Sequence, residues 1–183
     1  ATLCIFLASC ATPIRSTVDG YGEAPLTAKD PLFFDREALP LAQKPISDAC
    51  RNAARDLKLN VVDQNCPACK RVEVKSRLGE VSQSVSSSGP SFGTSIGMIG
   101  GSTGFGLGVG SGGVSSREET QRIIEIGIFE GSTNLIRTIT TRSVGRDNSV
   151  AAVAYEMCVA AFRDFPANLK GKVYKVKPGE ARE

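Results

Sequence analysis

Apolar residues first fall into helical spacing at Ile46, Ala49, Cys50, Ala53 and Leu57, which share one face. Asp48, Arg51, Asn52, Arg55 and Asp56 lie mostly away from that face, so the pattern predicts an amphipathic helix near 46–58. A second stripe runs through Val150, Val153, Ala154, Met157, Cys158, Ala161, Phe162 and Phe165. Asn148-Ser149 stands before it as a cap, and Pro166 ends it. Between these two helices the period falls to two. Val72, Val74 and Leu78 share one parity within 71–85, with charged residues between them, which predicts a half-buried strand. Ile124, Ile126 and Ile128 define another, Gly131-Ser132-Thr133-Asn134 reads as a turn, and Leu135 to Val144 completes a hairpin. Short extended segments are expected at 31–35, 59–62 and 172–177. The order is β-α-β-loop-β-β-α-β. It predicts an α+β domain with two layers, a mainly antiparallel sheet carrying both helices on one face.

Ahead of this domain the chain opens on a mostly apolar run, residues 1–9, closed by Cys10. A run that short does not span a bilayer, which takes about 20 apolar residues. Leu7-Ala8-Ser9-Cys10 resembles the lipobox of bacterial lipoproteins, so residues 1–9 read as the trailing part of a lipoprotein signal peptide. The resemblance implies cleavage after Ser9 and acylation of Cys10, anchoring the chain to a lipid bilayer. Ala11, where an Asp is absent, favours by the same resemblance a periplasm-facing place on the outer membrane. The following stretch is rich in Thr, Pro, Gly, Asp and Ser, and residues 10–30 are expected to be a lipidated tether. The domain proper is expected over 31–178, with 179–183 as a tail.

Composition then narrows the chemistry. The 183 residues hold no histidine and no tryptophan, and the formal net charge is +3. Without histidine there is no imidazole base and no imidazole metal ligand. The small, scattered charge does not make the dense basic face that nucleic acid requires. No nucleophile sits in a G-x-S-x-G elbow. No catalytic residues, metal site or cofactor are therefore expected.

Eleven of the 19 glycines crowd into residues 89–113. Gly108-Val109-Gly110-Ser111-Gly112-Gly113 fits a dinucleotide fingerprint by letters, but a Ser/Arg/Glu run and then a strand follow it rather than a helix. No nucleotide is expected. A flexible loop between two strands is one reading, since glycine is costly to order. The other reading is a hairpin. Phe92, Ile96 and Met98 share one parity, while Phe105, Leu107 and Val109 alternate with glycine. Such a hairpin presents an apolar face to a lipid surface or to other copies.

Four cysteines lie in the domain. Cys50 and Cys158 stand on the two helical stripes and either pair or remain buried as small hydrophobes. Cys66-Pro67-Ala68-Cys69 has the letters of a thioredoxin-type motif, whose chemistry needs the first cysteine at a helix N-terminus. A strand pattern follows instead, so a local structural disulfide is the favoured reading. An exported chain meets an oxidising compartment, where such bridges persist.

The helix leading into Leu59-Asn60-Val61-Val62-Asp63, the strand from Arg71, the Gly-rich insertion and the Ile124–Ile128 strand form a recognisable series. It closes on Ala161-Phe162-Arg163-Asp164-Phe165-Pro166 and Gly171-Lys172-Val173-Tyr174. Over about residues 31–178 the chain thereby resembles the bacterial lipoprotein family known only as domain of unknown function 4136. The resemblance implies an envelope-facing lipoprotein domain and no known chemistry. Three functions follow as expectations. One is a non-catalytic binding or assembly module that meets envelope proteins or copies of itself. A second is an oligomeric outer-membrane pore or secretion-associated lipoprotein built on the Gly-rich hairpin. The third is a periplasmic thiol-disulfide protein using Cys66 and Cys69.

Overall fold

The computed structural model describes residues 12–37, 39–87 and 114–180. Cys10 and the candidate hairpin residues Phe92, Ile96, Met98, Phe105, Leu107 and Val109 lie outside them. The elements in chain order are β1 (Ile14–Gly22), β2 (Leu32–Phe34), α1 (Lys44–Asp56), β3 (Val61–Val62), β4 (Lys70–Ser87), β5 (Val114–Glu130), β6 (Asn134–Gly145), α2 (Ala154–Phe162) and β7 (Leu169–Val176). The seven strands form one mixed sheet in the order β3-β2-β4-β5-β6-β1-β7, which with the two helices makes an α+β domain. β2 runs parallel to both β3 and β4, and the remaining neighbours pair antiparallel.

Both expected helices are present. Pro45 opens α1, where its missing N–H leaves no intrahelical bond unmade. Its buried face carries Ile46, Cys50, Ala53 and Ala54. A short 3-10 turn over Ala151–Val153 precedes α2, and just ahead of it Ser149 Oγ accepts the Ala152 N–H at 3.2 Å. Asn148 accepts the Thr120 hydroxyl at 2.7 Å and so ties this segment to β5. From Met157 to Phe162 every residue of α2 is buried, because the helix packs against α1 and against β1, β5, β6 and β7.

The isoleucine hairpin lies as the alternation predicts. Ile124, Ile126 and Ile128 of β5 are fully buried, with Val72 and Val74 of β4 on the same face. Gly131 makes the turn with φ +66°, a conformation that favours glycine. Phe162 closes the core from α2. Its ring meets Phe34 edge-to-face at 6.3 Å and Phe165 at 6.0 Å.

One expectation is corrected. Part of the stretch read as a tether is β1, which lies between β6 and β7. Its buried positions are Ser16, Val18 and Gly20, with Ile14 partly buried against the core at one end, so the apolar alternation hardly shows. Gly22 has a positional reason. A Cβ there would stand 2.8 Å from the Ile136 carbonyl oxygen, so the close approach of β6 requires glycine. The segment at 31–35, expected as the first strand, is the second, and it lies parallel to its neighbours.

Candidate functional site

The four domain cysteines form two disulfides, Cys50–Cys158 and Cys66–Cys69. The first joins α1 to α2 at two fully buried positions. The second closes a turn in which the Cys69 N–H donates to the Cys66 carbonyl at 2.9 Å, and the chain passes directly into β4. Neither cysteine of this pair stands at a helix N-terminus, so no helix dipole acts to lower a thiol pKa there.

Beside that turn is an open cleft of about 670 Å³, bounded by Asp35, Cys66, Pro67, Arg71 and Ser132. Arg71 is its main cation and is heavily engaged. It pairs with Glu73, lies 3.9 Å from Asp35, donates to the Ser132 carbonyl at 2.7 Å and stacks over Phe129 at 4.7 Å. A guanidinium so committed positions the β5–β6 turn and has little capacity left for a ligand. A second cleft of about 490 Å³ runs along the outer edge of β4, where Gln43, Val74, Ser76 and Arg77 line it. Here the Gln43 amide acts as a strand would. It donates to the Ser76 carbonyl at 3.2 Å and accepts the Ser76 N–H at 3.0 Å.

Two arginines are buried on the helix-facing side of the sheet. Arg122 is 4% exposed and donates to Ser143 Oγ at 3.4 Å, while its Nε has no partner among the described residues. Arg137 donates to the Ala167 carbonyl at 3.1 Å, and its Nε is also unpaired. Desolvation pushes both guanidinium pKa values down from the usual arginine range. The sequence reading passed over Arg122 although a signal existed: it shares the parity of Ile124, Ile126 and Ile128. Among the described residues, no group of three or more Cys, Asp or Glu side chains is placed to hold a metal ion.

The most extended feature is the ladder between β4 and β5. It continues past the end of β6, through Val81↔Thr120 to Ser87↔Val114, where it reaches the borders of the Gly-rich segment. β6 stops at Gly145, opposite Thr120, so the last part of the ladder is two strands wide. A register shift between Leu78 and Val81 marks the start of this ribbon.

No family model matches the chain, and no curated protein matches it. Among solved structures it is similar to a PDZ domain protein from Parabacteroides distasonis, with 6% identity and a TM-score of 0.47. That likeness covers 89% of this chain, which spans 38% of the length of the other. It is also similar to the PelC dodecamer from Paraburkholderia phytofirmans in two crystal forms, each at 13% identity over 80% of this chain. Those matches cover 93% and 94% of the PelC chain, with TM-scores of 0.40 and 0.39. Likenesses at this level carry no argument about this chain's fold or activity.

Proposed function

We propose that the chain is a membrane-anchored envelope lipoprotein whose domain serves as a non-catalytic binding or assembly module. Cys10 is its acylated anchor, and the domain faces the periplasm from the outer membrane. The observation that carries the assembly reading is the β4–β5 ladder, which runs on to Ser87↔Val114 with no third strand beside it among the described residues. A two-stranded ribbon is marginal in water by itself, so one built into a fold suits a surface that meets something else. The two disulfides accord with an oxidising compartment. A chain without histidine accords with a module that binds rather than catalyses.

The finer architecture belongs to the same proposal. The sheet forms one layer and the two helices the other, supported by α1 packing on β4 and α2 packing on β1, β5, β6 and β7. The alternative, an oligomeric outer-membrane pore or secretion-associated assembly, shares the ribbon as its support, because Ser87 and Val114 pair directly across it. Radiolabelled palmitate supplied to cells making the full-length protein tests the anchor. The wild type takes up label and Cys10→Ala takes up none; equal labelling of the two would overturn the anchor.

A further inference from the structure

The sheet treats its edges unequally. β3, at one rim, is two residues long and offers little to pair with. β7, at the other, carries Lys170, Lys172 and Lys175, with Lys177 just past its end, and lysines on an edge discourage a docking strand. The edge of β4 beyond β2 is met at Ser76 by the Gln43 amide. Three different devices thus guard the rims of the body of the sheet.

Along the ribbon the two sides differ: β4 carries none of these guards over 81–87, whereas β5 carries Arg117, Glu118 and Glu119. Among the described residues, the strand pairing of β4 from Val81 to Ser87 is with β5, and that of β5 from Val114 to Glu118 is with β4. At about 3.3 Å per residue the ribbon extends roughly 20 Å beyond the sheet. Residues 81–87, Val-Ser-Gln-Ser-Val-Ser-Ser, include no charge, lysine or proline. Val81 itself is 60% exposed.

We infer that this ribbon is a self-pairing edge whose partner is a second copy of this chain, the β4 edge of one ribbon accepting the β5 edge of the next. Two properties select a copy over an unrelated strand. The outer edges belong to two different, antiparallel strands, so ribbons set side by side in one orientation continue the antiparallel ladder. A single foreign strand covers one edge and leaves the other open. Head-to-tail copies cover both, and the arrangement ends only when the ring closes. The inference deepens the assembly reading above by naming its partner and contact, and it rests on that reading.

The test uses the full-length protein extracted from membranes in detergent. A photocrosslinking side chain at Val81 is expected to capture residues 114–120 of a second copy, while the same group at Lys175 on β7 captures no copy. Native mass is expected to be a multiple of the chain mass. Replacing residues 82–119 by Asn-Gly closes Val81 and Thr120 into a two-residue hairpin, and this form is expected at the mass of one copy. A one-copy wild type, capture at Val81 of a different protein, or an equally multimeric shortened form overturns the inference. Should the shortened form not fold, the crosslinks and wild-type mass still decide. Palmitate labelling separates the two failures: a labelled one-copy protein keeps the anchor and loses self-pairing, and an unlabelled multimer does the reverse.

Discussion

Arg122 is a charge that the sheet buries without a carboxylate at ion-pairing distance among the described residues. A Cβ on Gly145 would collide with its Nη2, so Arg122 and Gly145 fill one space together. An incompletely paired buried cation is weak support for stability, and an apolar side chain of similar length relieves its desolvation. Arg122→Met is therefore expected to unfold at the same or higher denaturant concentration than wild type; a clear fall in the midpoint would show that the guanidinium holds something in place. Asp19 is the opposite case. It accepts the Gly171 N–H at 2.7 Å and pairs with Arg142, and these contacts hold its carboxyl below the usual 3.8. A depressed folded pKa gives stability that is fully present above 3.8 and is lost as pH falls through the folded value. Wild type is thus expected to exceed Asp19→Asn in stability at neutral pH, with the gap closing below that value in pH-dependent urea melts.

At the scale of elements, α2 carries Phe162, the largest fully buried side chain among the described residues, which meets Phe34 and Phe165 edge-to-face. Phe162→Ala is expected to cost about 3–5 kcal/mol in equilibrium unfolding. A loss under about 1 kcal/mol would contradict its place at the centre of the core. Both helices were legible because each carries an apolar face long enough to show its period, and the isoleucines made β5 equally plain. β1 was not legible. A strand of Ser16, Val18 and Gly20 inward with Thr17 and Asp19 outward has tether composition, and only its neighbours β6 and β7 make it a strand. The parallel placement of β2 depends on long-range pairing with Lys70–Val72, which three residues of local sequence do not encode. The strand pattern after Cys69 was legible and is β4, with the Cys66–Cys69 disulfide in the turn before it. The β4 side of the ribbon fell largely within the strand expected over 71–85, but its β5 side was hidden, since Val-Ser-Ser-Arg-Glu-Glu over 114–119 has one apolar residue and no alternation.

On the whole molecule, the two disulfides act over different lengths. Cys50–Cys158 spans 108 residues and ties the two helices, whereas Cys66–Cys69 spans three. Because loop-closure entropy grows with the enclosed length, the long bridge restricts the unfolded chain far more. Replacing Cys50 and Cys158 together by Ala is expected to lower stability by about 2–5 kcal/mol. Removing Cys66 and Cys69 together is expected to cost clearly less, and the reverse ranking would contradict this account. Under the proposal, an anchored chain would be concentrated with its copies on the membrane, which would favour edge pairing that is weak in solution.

The most direct test of the central claim is the intact mass of the mature protein purified from membranes. The account predicts a chain that begins at Cys10 and carries the added mass of a diacylglyceryl group and an N-terminal acyl chain. A mature chain that retains residues before Cys10, or one whose Cys10 bears no lipid, would contradict it.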